Sequence, residues 1–259
     1  MLMKPLMQQY NTMRYIKMPN LPQNRVKTVA ISCEAGEAIK KLTSLDIECI
    51  KIQNDKRLPE PVNSHADLQL LHISENTIFC HKEHLCIGES EQNFNIISID
   101  KLPGNKYPED VRLNCTIIYD KIICNKKTVA HEVLDFAERS GLTVINVNQG
   151  YSRCSICVVN ENAIITDDKS IFTAAQNFFN DAQLISKNSI LLKGYDYGFI
   201  GGCCGKIDKD IIAFNGAIES HSDYKKIIDF LDRNAVKCIE LYNGRLADIG
   251  GILPLTEYT

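Results

Sequence analysis

The chain has 259 residues, 44% of them apolar and 24% charged, with a formal net charge of −3. That balance excludes an overall basic footprint for nucleic acid. No apolar run approaches the ~18 residues that a membrane-spanning helix needs. The apolar content suffices for a full-sized core, in one large domain or two small ones.

Residues 1–24 are Met-rich and polar, without the continuous apolar stretch of a secretory signal. They are read as an N-terminal extension ahead of a single domain at 25–259, and the chain as a cytoplasmic protein. The domain opens with a strand at 27–32, a helix near 34–42 and a strand at 47–52. A strand–turn–strand pattern then occupies 67–80. The stretch after it, 83–94, is polar and contains glycine, so any helix there is short or absent. A second hairpin at 114–124 is followed by a helix at 128–140. Val129, Val133, Leu134, Phe136 and Ala137 share one face of it. Gly141 stops that helix, and a strand follows at 142–147. The third hairpin, 154–166, leads to a helix at 169–179 and a strand at 182–185. The fourth, 203–214, leads to a helix capped by Ser222, with Asp223 in its first turn, and to a strand at 236–241. A last strand-like piece lies at 246–255.

The four hairpins repeat. Ile78, Ile122, Ile164 and Ile211 stand just after the turns, spaced by 44, 42 and 47 residues. A period of 20–50 residues signals a solenoid, propeller or array. The two ends of the chain together supply a fifth unit, and joining them closes a ring without free sheet edges. The prediction is an α/β fold of five ββαβ units around an axis. An ordinary α/β sandwich is the alternative.

Eleven cysteines suggest a disulfide framework, but the odd count, the chain length and the missing export signal favour free thiols in a reducing compartment. Cys154 and Cys157 match C-x-x-C formally. On a strand they would point to opposite faces, which argues against a metal or redox pair. No metal and no cofactor are expected. Gly198, Gly201, Gly202 and Gly205 match neither the dinucleotide fingerprint nor the P-loop, and imply close backbone approach instead. His81 and His84 flank a loop and are weak metal evidence.

Four segments carry a resemblance: Lys106-Tyr-Pro-Glu-Asp110, Gln149-Gly-Tyr-Ser-Arg-Cys-Ser-Ile-Cys157, Asp196-Tyr-Gly-Phe-Ile-Gly-Gly202 and Asp248-Ile-Gly-Gly-Ile-Leu-Pro-Leu255. They resemble an uncharacterised bacterial family assigned to the pentein fold. That is the fold of arginine deiminases, amidinotransferases and dimethylarginine hydrolases. The resemblance covers roughly residues 25–255 and implies an axial site for a guanidino compound. Such enzymes use a Cys nucleophile in the last unit and a His general acid/base. Carboxylates grip the forked donors of the guanidinium. Here Gly250-Gly251 is followed by Ile252, Leu253 and Pro254, with no Cys after Cys238. The His position falls at Tyr151, Ser152 and Arg153. Both usual catalytic residues are therefore missing.

The fold places the start of each inner strand at the axis. That nominates Asp67, Asn114, Cys154 or Ser155, Cys203 or Cys204, and Asp248. Each also has a plain reading as a turn or packing residue. Asp196 and Asp110 are further carboxylates for the cavity. Cys154 is the thiol to suspect, activated if Arg153 approaches it. His65, two residues before Asp67, would pair with it as an acid/base unit. The candidate catalytic set is Cys154, Asp67 and His65. Asp110, Asn114, Arg153, Ser155, Asp196, Cys203 and Asp248 form the ligand-binding set. The expected partner is a small guanidino, amidino or amino-acid-like ligand, with no nucleic acid and no membrane. The alternative is an active guanidino hydrolase or transferase with relocated catalytic residues.

Overall fold

The inner and middle strands of each repeat are almost wholly buried runs of Ile, Val, Leu and Cys, as strands covered on both faces must be. The computed structural model describes residues 12–83, 87 and 93–259. The chain starts with β1 (Met13–Tyr15), β2 (Val26–Ser32), α1 (Gly36–Ser44) and β3 (Glu48–Ile52). The first repeat is α2 (Ala66–Gln69), β4 (Leu70–Ser74), β5 (Thr77–His81) and β6 (Asn95–Ile99). The second is β7 (Thr116–Ile118), β8 (Lys121–Cys124), α3 (His131–Arg139) and β9 (Thr143–Asn146). The third is β10 (Ile156–Asn160), β11 (Ala163–Thr166), α4 (Lys169–Ala175) and β12 (Asp181–Leu184). The fourth is β13 (Cys204–Asp208), β14 (Ile211–Phe214), α5 (Tyr224–Arg233) and β15 (Lys237–Glu240). The strand β16 (Leu253–Tyr258) ends the chain.

Each repeat is a separate sheet in the order inner, middle, outer: β4-β5-β6, β7-β8-β9, β10-β11-β12 and β13-β14-β15. The first pair in each is an antiparallel hairpin and the second is parallel. A parallel pair needs a crossover connection, which α3, α4 and α5 supply in the last three. The fifth sheet, β1-β16-β2-β3, joins the two ends of the chain, with β16 antiparallel to β2 and β2 parallel to β3. The five-unit α/β propeller and its closure by both termini are as the repeat predicts.

The helices bury one stripe each against the sheets. Val133 and Ala137 do so on α3, and Ile227, Phe230 and Leu231 on α5. Residues 12–24 do not stand apart. Met13–Tyr15 extends the fifth sheet, Ile16 is fully buried, and Leu21 packs with Ile118, Ile145 and Ile156.

Several local expectations change. Register makes Ile212, not Ile211, the fourth equivalent of Ile78, Ile122 and Ile164. Ile78 pairs with His72, Ile122 with Ile117, Ile164 with Val158 and Ile212 with Lys206. The fourth hairpin has the same two-residue turn as the others, and Ile211 pairs with Asp208 at its end. The cap of α5 is Asp223, whose carboxylate is taken up by Ser186 N at 2.6 Å and Lys226 Nζ at 2.8 Å. Asp168 does cap α4, accepting from Ser170 N and Ile171 N. The last strand begins at Leu253 rather than near 246, because Gly250 and Gly251 turn the chain at φ +74° and +78°. Cys80 is disulfide-bonded, while nine other described cysteines are free thiols. An odd total rules out complete pairing but not one bridge. His84, residues 1–11 and most of the stretch 83–94 lie outside the described residues. Among the described residues no helix is long and apolar enough to cross a membrane.

The glycines of the fourth unit allow the units to meet. A Cβ on Gly201 would lie 2.3 Å from Ile156 O and 2.4 Å from Arg153 O, and one on Gly205 would lie 1.9 Å from Ile252 O. Those contacts are with backbone, which cannot step aside. Gly205→Ala is therefore expected to destabilise the protein by about 1–3 kcal/mol, the usual cost of overpacking, read as a lower urea midpoint. An unchanged midpoint would mean the fourth and fifth units pack less closely than described.

Candidate functional site

Four of the five nominated axial residues come together. Asn114 follows the short helical turn Glu109–Val111, and its carboxamide is used on both sides. Its Nδ2 donates to Asp67 O and Cys154 Sγ, both at 3.1 Å. Its Oδ1 accepts from Arg153 N at 2.8 Å and Cys154 N at 3.3 Å. Cys154 therefore sits in a turn before β10, held by Asn114, and not in the strand. Its thiol donates to Asp67 Oδ2 at 2.9 Å. Burial pushes the Cys154 thiol well above its ordinary range, and the charges of Asp67 and Asp248 push it further. At neutral pH it is a protonated donor. The expected activation by Arg153 is overturned, because that guanidinium donates to Ile156 O and Gly201 O instead.

Asp248 is the second carboxylate. It accepts from Gly250 N and Phe199 N, each at 3.0 Å, and His65 Nδ1 lies 3.7 Å from its Oδ1. Burial raises its pKa, and His65 partly offsets the rise. His65 thus faces Asp248 and not Asp67. The reason is local: His65 caps α2 and Asp67 lies inside it, so the two do not share a strand face. Glycines make room on every side. A Cβ on Gly202 would fall 2.1 Å from Asp248 Oδ1, on Gly198 2.5 Å from Asp248 Cβ, and on Gly250 2.4 Å from His65 Cβ.

His65, Cys154 and Asp248 line a pit of about 210 Å³. Its walls are Tyr151, Tyr195, Tyr197 and Phe199, with Val62, Leu68 and Leu192. Tyr151 stacks on Phe199 with ring centroids 5.9 Å apart. Its hydroxyl donates to Asp110 Oδ2 at 2.5 Å. A shallower groove opens beside the pit and shares His65, Tyr195, Asp196 and Asp248 with it.

The other nominated residues have different places. Asp196 lines the pit from an exposed loop. Asp110 is outside the pit and orients Tyr151; burial raises its pKa, and the tyrosine hydroxyl offsets part of that. Ser155 is fully buried away from the pit, so the third unit presents Cys154. Cys203 donates to Ile200 O at 3.1 Å within the apolar core. Cys157 faces Cys204, not Cys154, through a thiol hydrogen bond. Among the described residues no group of three His, Cys, Asp or Glu side chains is placed to hold a metal ion.

The sequence reading missed the aromatic wall, although Tyr195-Asp-Tyr-Gly-Phe199 concentrates three aromatic residues in five positions. It also missed Asp167. This carboxylate is 3% exposed and accepts from Ile200 N at 3.2 Å, one residue from Phe199. Burial lifts its pKa from 3.8 to about 7. Between those values the folded chain holds a proton that the unfolded chain releases. Stability is therefore fully present below pH ~4 and falls as pH rises towards 7. The span corresponds to roughly 4 kcal/mol. Asp167→Asn should flatten this part of the stability–pH curve, measured by urea denaturation from pH 4 to 8. An unchanged slope would assign the titration elsewhere.

Comparison with known proteins agrees with the architecture. DDAH from Pseudomonas aeruginosa, solved with citrulline, superposes with a TM-score of 0.53 at 10% identity, covering 91% of this chain and 100% of that one. C. jejuni agmatine deiminase gives 0.54 at 8% identity, covering 94% and 96%. A dimethylarginine dimethylaminohydrolase adduct with S-methyl-L-thiocitrulline gives 0.51 at 10% identity, covering 90% and 100%. At such identities the likeness establishes the fold, which is the pentein fold. No curated protein matches the sequence. The model of the family of unknown function DUF6873 matches residues 30–253, and the chain belongs to that family.

Proposed function

We propose that the axial pit binds a small cationic or zwitterionic molecule with guanidino, amidino or amino-acid-like N–H donors, and that it does so without a nucleophilic thiol. One observation carries this reading: the carboxylate of Asp248 at the floor of an aromatic-walled pit, with Asp67 behind the protonated thiol of Cys154. No lysine or arginine is among the residues lining the pit. A buried carboxylate favours a ligand that brings positive charge and N–H donors. Stacked tyrosine and phenylalanine rings add attraction for a cation over their faces. A volume of about 210 Å³ suits a small molecule rather than a polymer. Asp196 at the rim stands ready for a second cationic group. The neighbours solved with citrulline and a thiocitrulline adduct support this ligand class by analogy of fold.

A second reading rests on His65. Its pairing with Asp248 at the floor supplies an acid/base unit, which a guanidino hydrolase or transferase with relocated residues would use.

Calorimetric titration with agmatine, arginine, citrulline and ornithine tests the binding reading. At least one should bind. Asp248→Asn should weaken that ligand by roughly 10–100-fold, the loss of a charge-assisted hydrogen bond. Cys154→Ser should stay within about threefold, since a hydroxyl can still donate to Asp67. No binding by any of the four would overturn the ligand class. Ureido product that disappears in Cys154→Ser would overturn the non-nucleophilic thiol. Product that survives in Cys154→Ser but disappears in His65→Gln would establish the second reading.

A further inference from the structure

A second, much smaller cavity of about 20 Å³ shares no lining residue with the pit. Asp67 and Arg153 line it, with His72 and Asn20, between the inner strands β4 and β16. Asp67 is 1% exposed and Arg153 6%. Each carries a buried atom with no protein hydrogen-bond partner, Asp67 Oδ1 and Arg153 Nε. Both side chains are otherwise engaged. Asp67 Oδ2 takes the Cys154 thiol, and Arg153 Nη1 donates to two backbone carbonyls, at 3.3 and 3.4 Å. Leaving a buried donor and a buried acceptor both unmatched is costly.

We propose that this cavity is a site for one buried water, which accepts a hydrogen bond from Arg153 Nε and donates one to Asp67 Oδ1. The size fits: about 20 Å³ exceeds the ~10–15 Å³ that one water requires. The polarity fits as well. An anion would meet the Asp67 carboxylate, and a cation would meet the Arg153 guanidinium, which is always charged. A neutral molecule that both donates and accepts satisfies the pair. Asn20 bounds the space from the N-terminal segment, its Nδ2 donating to Ile117 O at 2.9 Å. The water links the guanidinium to the far side of Asp67. The water site stands or falls independently of whether the pit binds anything.

A crystal structure of the full chain, with a parallel crystal soaked in sodium bromide, tests it. The expected result is a single density peak within hydrogen-bond distance of both Arg153 Nε and Asp67 Oδ1, with no anomalous signal after the soak. Direct contact between the two side chains without intervening density would overturn the proposal, and so would a bromide signal. In solution, Arg153→Met and Asp67→Asn should each lower the urea midpoint. The double variant should lower it by less than the sum of the two, as bridged partners do. Strict additivity would overturn the bridge. Should either variant fail to fold, the crystals of the unaltered chain decide.

Discussion

The arrangement depends on backbone meeting backbone at the axis. Residues 198–205 run between the third and fifth units at distances that no side chain tolerates. Gly201 lies against the carbonyls of Arg153, Cys154 and Ile156, Gly205 against Ile252, and Gly202 against the Asp248 carboxylate. Because the chain comes this close, Gly202 O accepts from both Ile249 N and Gly251 N, and Gly202 N donates to Cys154 O. These bonds stitch three units into one floor. They also set the position of Asp248, since its backbone neighbours Phe199 and Gly250 supply the two N–H groups that hold its oxygens. A carboxylate fixed by backbone donors needs no lysine or arginine nearby, and so remains available to something that enters from outside.

The other half of the floor is organised by a carboxamide. Asn114 satisfies two backbone N–H groups, one backbone carbonyl and one sulfur, which uses its side chain on both ends. Its reach from the second unit to the third fixes Cys154 where Asp67 can accept the thiol proton. Two acids on either side of a buried thiol stabilise the neutral sulfur and oppose the thiolate. The axial thiol is surrounded by electrostatics opposite to those a nucleophilic thiolate needs.

The hairpins were legible because each pairs two β-branched or Cys-rich runs across a polar turn, and the pattern recurs at nearly constant spacing. What failed were positions where backbone geometry departs from the strand pattern. Asp67 lies in a helical turn of four residues with His65 as its N-cap, too short to leave a periodicity. Ile211 and Ile212 are chemically identical, so only the ladder register tells which of them pairs with Lys206. The glycine run announced close approach, and that held, but nothing local in the sequence says that Asp248 is what it approaches. Asp67, Asn114, Cys154 and Asp248 were found through the repeat. Tyr151 and Phe199 were not, because they lie between repeats on connections whose length varies, and Asp167 was not, because it follows the third hairpin rather than starting an inner strand. The disulfide at Cys80 is likewise invisible to counting.

The fifth sheet has a temporal consequence. Its inner strand, β16, ends at Tyr258, while its partners β1 and β2 lie within the first 32 residues. During synthesis every other sheet can form as soon as its own stretch has emerged, since each is contiguous in sequence. β1 and β2 alone must wait for β16, and until then β2 has an unfilled edge on the side that β16 will occupy. Closing that ring requires a contact spanning more than 200 residues, the kind that slows folding most. It also makes the newly made β1 and β2 the strands most in need of protection from pairing with the wrong neighbour.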